Sequence, residues 1–159
     1  MYRAIKFTIF VRMDKILFRN ADVVSQIKES GSIKKLIIST CKAEGFLIES
    51  ITYVFCSDNY LLTMNRQFLK HDTFTDIITF PLSAKRDPII AEIYISVERV
   101  KENAKTYSVS YQNELLRVII HGALHLCGYA DKTPTQKLAM RRRETYYLNK
   151  FNVSREADS

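Results

Sequence analysis

At 159 residues, with 47% hydrophobic and 26% charged side chains, the chain has the size and balance of an ordinary soluble globular protein, and one domain over 1–159 is expected, with no second domain needed. Its formal net charge of +7 favours an anionic partner, because a basic surface gains free energy by releasing counterions from phosphates. No apolar run reaches the roughly 20 residues that cross a bilayer, and Arg3, Lys6, Arg12 and Lys15 interrupt the apolar N-terminus that an export signal would keep continuous, so a cytoplasmic protein with no membrane partner is expected.

Ile5, Phe7, Ile9 and Val11 alternate with Lys6, Thr8 and Arg12, the period of a half-buried first strand. Ile33, Leu36, Ile37, Thr40 and Cys41 then recur at the spacing of a helix packed on one face, with Ser32 as its expected N-cap. Ile51, Tyr53 and Phe55 mark a second strand, and Ser57-Asp58-Asn59 caps a helix reaching about Leu69. Asp76 to Phe80 reads as a third strand stopped by Pro81. The polar segment 83–88 is a turn or loop, and Ile89 to Ile95 is a fourth strand able to pair antiparallel with the third.

Val97, Val100, Ala104 and Tyr107 give the stripe of a further helix, and the stretch from Ser110 to Cys127 is apolar nearly all round, as a central helix must be. Thr133-Pro134-Thr135-Gln136 combines a capping box with proline at the first helical position. It opens a last helix with Met140, Tyr147, Leu148 and Phe151 inward, and the polar tail after Val153 is expected to fray. This order of elements gives the α+β class. Cys41, Cys56 and Cys127 form no C-x-x-C pair and sit in apolar segments, which reads as reduced core thiols.

Chemistry concentrates in His121-Gly122-Ala123-Leu124-His125-Leu126-Cys127-Gly128-Tyr129-Ala130-Asp131. Residues four apart share a helix face, so His121 and His125 can aim at one ion. Gly128 permits the left-handed turn that stops a helix, and the returning chain can bring Asp131 to the same point. Three protein ligands leave a fourth tetrahedral position for water, the arrangement of a catalytic zinc site. A histidine alone on such a helix is more often a hydrogen-bonded core residue, but buried imidazoles need partners, and here the ligand set and its spacing supply one ion, zinc. Cys127 lies roughly 200° around the helix from His125 and is a poor ligand.

The spacing matches the zinc-protease pattern H-E-x-x-H-x-x-G-x-x-H except at two positions. Gly122 replaces the protease's general base, which makes a protease the runner-up. Asp131 replaces the last histidine and remains a legitimate zinc ligand.

The histidine block is similar to the H-G-x-L-H-L-x-G-Y-D-H motif of the YbeY endoribonucleases, also described as rRNA maturation factors. A second block, Met64-Asn65-Arg66-Gln67-Phe68-Leu69-Lys70-His71-Asp72-Thr73-Phe74-Thr75-Asp76-Ile77-Ile78-Thr79-Phe80-Pro81, resembles that family's L-N-x-x-Y-R-x-x-D-x-P-T-D-V-L-S-F-P. Ala91-Glu92-Ile93-Tyr94-Ile95-Ser96 stands where the family has a G-D-I strand. The chain departs from the pattern at Asp131 for histidine, Leu69 for arginine and Phe74 for proline.

The resemblance implies a mixed four-stranded sheet with helices packed around it. It also implies a zinc-dependent endoribonuclease acting on single-stranded ribosomal RNA, in maturation of the small-subunit rRNA 3′ end and in ribosome biogenesis and quality control. Ribosomal small-subunit proteins and an assembly GTPase are the partners it implies. A rival reading is a ribosome-associated assembly protein whose metal is structural.

Four further features belong to the site on this reading. Glu144 falls on the inner stripe of the last helix, where it can hydrogen-bond a ligand histidine; a surface glutamate is the alternative. Arg66, one turn before Leu69 and within roughly 60° of it around the axis, is the best substitute for the missing arginine as a stabiliser of transition-state charge, whereas Lys70 is rotated by about 100°. Arg66 can equally be a solvated surface cation. Lys132, Lys137, Arg141, Arg142 and Arg143 follow Asp131 closely. With Lys70, the residues Lys137, Arg141 and Arg142 are the candidate RNA-backbone contacts.

Overall fold

The computed structural model describes residues 13–25, 27–71 and 73–157. The strand expected from Ile5 to Val11 lies outside the described residues. Within them the chain runs β1 (Lys15–Asn20), α1 (Ser30–Ala43), β2 (Ile48–Cys56), α2 (Asp58–Phe68), β3 (Ile77–Pro81), β4 (Ile89–Ser96), α3 (Val97–Thr106), α4 (Tyr111–Leu126) and α5 (Pro134–Ala157).

The four strands form one mixed sheet in the order β1-β2-β4-β3. β1, β2 and β4 are parallel, while β3 pairs antiparallel with β4, with Ile78 opposite Tyr94 and Thr79 opposite Ile93. Among the described residues the chain forms the α+β class read from its elements and the mixed four-stranded sheet that the family resemblance implies.

Strand alternation divides the side chains between two layers. Ile51, Tyr53 and Phe55 of β2 and Ala91, Ile93 and Ile95 of β4 are buried in the main core with α1, α4 and α5. Cys56, Leu61 and Ile78 form a smaller cluster, with Met64, Phe80 and Tyr94 against it, so α2 covers the opposite face. α4 is the central helix, touching α1, α3, α5, β3 and β4. Ile119, Ile120, Ala123 and Leu124 are wholly buried, and the Tyr53 hydroxyl donates to the Ile119 carbonyl at 3.1 Å.

Gly122 makes that approach possible. A Cβ there would lie 2.8 Å from Ile77 Cδ1 and 3.1 Å from Ile93 Cδ1, so only glycine lets α4 sit this close to the sheet without a shift.

The structure differs from the sequence reading in several places. β1 occupies Lys15–Asn20, a segment with no strong strand signal because it is short and turns only Ile16 and Phe18 towards the core; among the described residues it lies at the end of the sheet. Helix α1 starts at Ser30 after Glu29 in the left-handed region (φ 55°), so Ser32 lies inside the first turn and is not the N-cap. Its buried stripe, Ile33, Leu36, Ile37, Thr40 and Cys41, is the expected one.

Tyr107 caps the end of α3 and is exposed, because the helix stops one residue earlier. The tail after Val153 stays helical to Ala157, where Arg155 pairs with Glu29 at 2.9 Å and lies over the Phe151 ring. The capping box forms as expected: Gln136 N–H donates to Thr133 Oγ1, and Thr133 N–H donates to Gln136 Oε1. All three cysteines are free and buried. Among the described residues, no helix is long and apolar enough to cross a membrane.

Candidate metal centre

α4 is capped at its start by Ser110, whose hydroxyl accepts from Asn113 N–H, and at its end by Cys127. Gly128 follows with φ 93°, in the left-handed conformation that turns the chain back. The two histidines in the last turns of α4 and the aspartate after this turn therefore meet. His121 Nε2 lies 2.9 Å from His125 Nε2 and 3.2 Å from Asp131 Oδ2, and His125 Nε2 lies 3.4 Å from the same oxygen. All three side chains are partly open to solvent.

Their other atoms are held from behind. His121 Nδ1 lies 2.6 Å from Glu144 Oε1, and His125 Nδ1 lies 2.8 Å from the Tyr129 carbonyl. Both partners are acceptors, so each Nδ1 carries the proton and each Nε2 turns a lone pair towards the other ligands. Two imidazole lone pairs and a carboxylate oxygen facing one another repel unless a cation lies among them. Ligands about 2.05 Å from a tetrahedral zinc sit about 3.3 Å apart, close to the separations of Asp131 from the histidines. The donor set and its spacing fit a zinc-sized ion.

Behind Glu144 lies a buried ion chain. Arg117 Nη1 donates to Glu144 Oε2 at 3.1 Å, its Nε donates to Glu114 Oε2 at 3.0 Å, and its Nη2 also pairs with Glu114. Both carboxylates are only 2% exposed. Burial pushes the Glu144 carboxyl up, but the hydrogen bond from His121 and the ion pair with Arg117 outweigh it and hold the group below its ordinary value. It is therefore an ionised acceptor for His121.

A second network holds the loop. The Tyr129 hydroxyl donates to Glu44 Oε2 at 3.0 Å, and Tyr147 donates to Glu44 Oε1 at 2.5 Å. Arg143 Nε donates to the Tyr129 hydroxyl at 2.9 Å and lies 3.2 Å from Glu44. Arg143, grouped by sequence with the RNA-facing cations, instead ties α5 to α1, because its position faces Glu44.

The structure brings His121, His125, Asp131 and Glu144 together. Lys137, Arg141 and Arg142 are exposed on α5, and the Arg141 guanidinium lies 5.9 Å from the centre of the Tyr107 ring. Arg66 and Lys70 are exposed at and just beyond the end of α2, the helix on the other face of the sheet from α4. Position 122 points into Ile77 and Ile93, so a protease-type glutamate there would face the sheet and not the ion.

Glu114, Arg117 and the Tyr129 carbonyl escaped the sequence reading. The signal for the first two was present: Glu114, Arg117, His121 and His125 follow one another at steps of three, four and four, a polar stripe on an otherwise apolar helix. Asp76 also comes near. Burial raises its carboxyl, the Arg117 charge offsets this only in part, and Asn103 Nδ2 donates to it at 3.2 Å.

The family model described as Endoribonuclease YbeY matches residues 16–152. A relative of that name from Flavobacterium psychrophilum is 46% identical over 138 residues, covering 84% of this chain and 95% of its own length. Another, from Cytophaga hutchinsonii, is 42% identical over 139 residues, covering 87% and 97%. A Thermotoga maritima protein solved in solution is similar with a TM-score of 0.61 at 26% identity, covering 90% of this chain and 93% of that one.

Proposed function

Because this chain belongs to the Endoribonuclease YbeY family, we propose that it is a zinc-dependent endoribonuclease that cuts single-stranded ribosomal RNA and matures the 3′ end of the small-subunit rRNA in the cytoplasm. The observation that carries the reading is the convergence of His121 Nε2, His125 Nε2 and Asp131 Oδ2 on one point, all within 4.8 Å of one another. Three ligands leave room for water or a phosphate oxygen. When bound there, the ion supplies a Lewis acid that polarises a phosphoryl oxygen and makes water more acidic.

The protein's own groups supply orientation and charge. Glu144 and the Tyr129 carbonyl each hold one Nδ1, which keeps both rings turned inward. Arg117 holds Glu144 in turn. Lys137, Arg141 and Arg142, exposed on α5, contact the phosphate backbone, and Arg66 and Lys70 add positive charge for the strand to follow. Ribosomal small-subunit proteins and an assembly GTPase are the proposed partners.

The test is cleavage of a small-subunit rRNA fragment carrying a 3′ extension. The wild-type protein is expected to cut it, and His121→Ala, folded by circular dichroism, to leave it intact. Cleavage by His121→Ala at the wild-type rate would overturn the proposal.

A further inference from the structure

A cleft of about 310 Å³ opens beside the metal centre, with Phe46, Ala84, Lys85, Ile90, Leu126 and His125 among its walls. These residues come from the turn between α1 and β2, the β3–β4 loop, β4 and the end of α4. His125 belongs both to the cleft and to the ligand cluster. Whatever occupies the cleft is therefore adjacent to whatever meets the ion.

We propose that this cleft receives one unstacked nucleobase of the RNA strand, the base of a nucleotide flanking the phosphate at the metal centre. The proposal rests on the nuclease reading above and adds how the substrate is held. Its volume is at the small end of ligand pockets, enough for one nucleotide and too small for a longer segment. The walls contributed by Phe46, Ala84, Ile90 and Leu126 are apolar, which suits the flat face of a base and not a phosphate. Phe46 offers an aromatic surface for stacking, the contact by which proteins hold single strands regardless of sequence.

Polar groups complete the fit. Asp87, also on the cleft, supplies a carboxylate able to accept from an exocyclic amino group. Lys85 supplies a cation for the next phosphate along. The chain's +7 charge favours this occupant over an apolar peptide side chain. A base inside a duplex cannot enter such a cleft without being flipped out, so the pocket selects unpaired RNA.

The test compares binding of two labelled strands of equal length: a single-stranded RNA, and a ribose-phosphate strand with no bases. Metal-free protein is used for binding, so that nothing is cut, and zinc-loaded protein for cleavage in parallel. Wild-type protein is expected to bind the RNA about ten-fold or more tightly than the base-free strand. Ala84→Trp, which fills the cleft from an exposed loop position, should bring the two affinities together while leaving zinc content unchanged. Phe46→Ala should act in the same direction. Equal affinities in the wild type, or an undiminished preference in Ala84→Trp, would overturn the proposal. Preference for the base-bearing strand without any zinc-dependent cleavage would keep the pocket and reject the nuclease reading.

Discussion

Arg117 sits between two carboxylates that are each 2% exposed, so it is the residue on which the histidine support depends. Removing one member of a buried ion network leaves unpaired charge at a cost of several kcal/mol. Arg117→Met is expected to lower stability by about 3–5 kcal/mol in urea unfolding, whereas an exposed arginine such as Arg142 should cost little. Glu144→Ala is expected to weaken zinc binding by about 10–100-fold, measured by competition with a chelating dye, because His121 then loses the acceptor that fixes its ring. Unchanged zinc affinity would remove Glu144 from the site's support. That His121, His125 and Asp131 come together with Glu144 beside His121 was legible in the sequence, the histidines and Glu144 from helix-face spacing and Asp131 from the return of the chain at Gly128. The Tyr129 carbonyl was not, since a backbone atom leaves no residue-type signal.

α4 shows how one element serves packing and chemistry at once. Its apolar sides fill the core, its polar stripe from Glu114 to His125 carries the site, and Gly122 sets its distance from β3 and β4. Gly122→Ala is expected to cost about 1 kcal/mol, since the atoms it meets are the ends of isoleucine side chains that can move by a few tenths of an ångström. Gly122→Glu places a carboxylate against those same isoleucines, and thermal melting should show a much larger loss. Equal melting temperatures for the two variants would contradict this account of the close approach.

Strongly periodic elements such as α1, β2 and β4 were readable because each turns a full stripe inward. β1 was not, because a short strand with lysine and arginine on its outer positions lacks that pattern. The start of α1 was misplaced because Ser32 is a good cap residue by type, whereas the helix is entered from Glu29 in the left-handed region, a position that makes no side-chain cap hydrogen bond and so leaves no residue-type signal.

Across the whole molecule, the sheet carries α4 on one face and α2 on the other, while α5 closes over the metal centre with Glu144 and exposes Lys137, Arg141 and Arg142. RNA binding to this surface should weaken linearly with the logarithm of salt concentration. Replacing Arg141 and Arg142 together by alanine should flatten that slope by about 1.4, the change for two phosphate contacts on a single strand. An unchanged slope would take both residues out of the interface. Charge and composition point to an anionic partner, but residue type alone could not separate Arg143, bound to Glu44, from its exposed neighbours. The most direct test of the whole account is a titration of zinc into metal-free protein, following cleavage of single-stranded rRNA. Activity should rise from nothing to a plateau at one ion per chain, whereas full cleavage in the metal-free protein, or none at any zinc concentration, would contradict it.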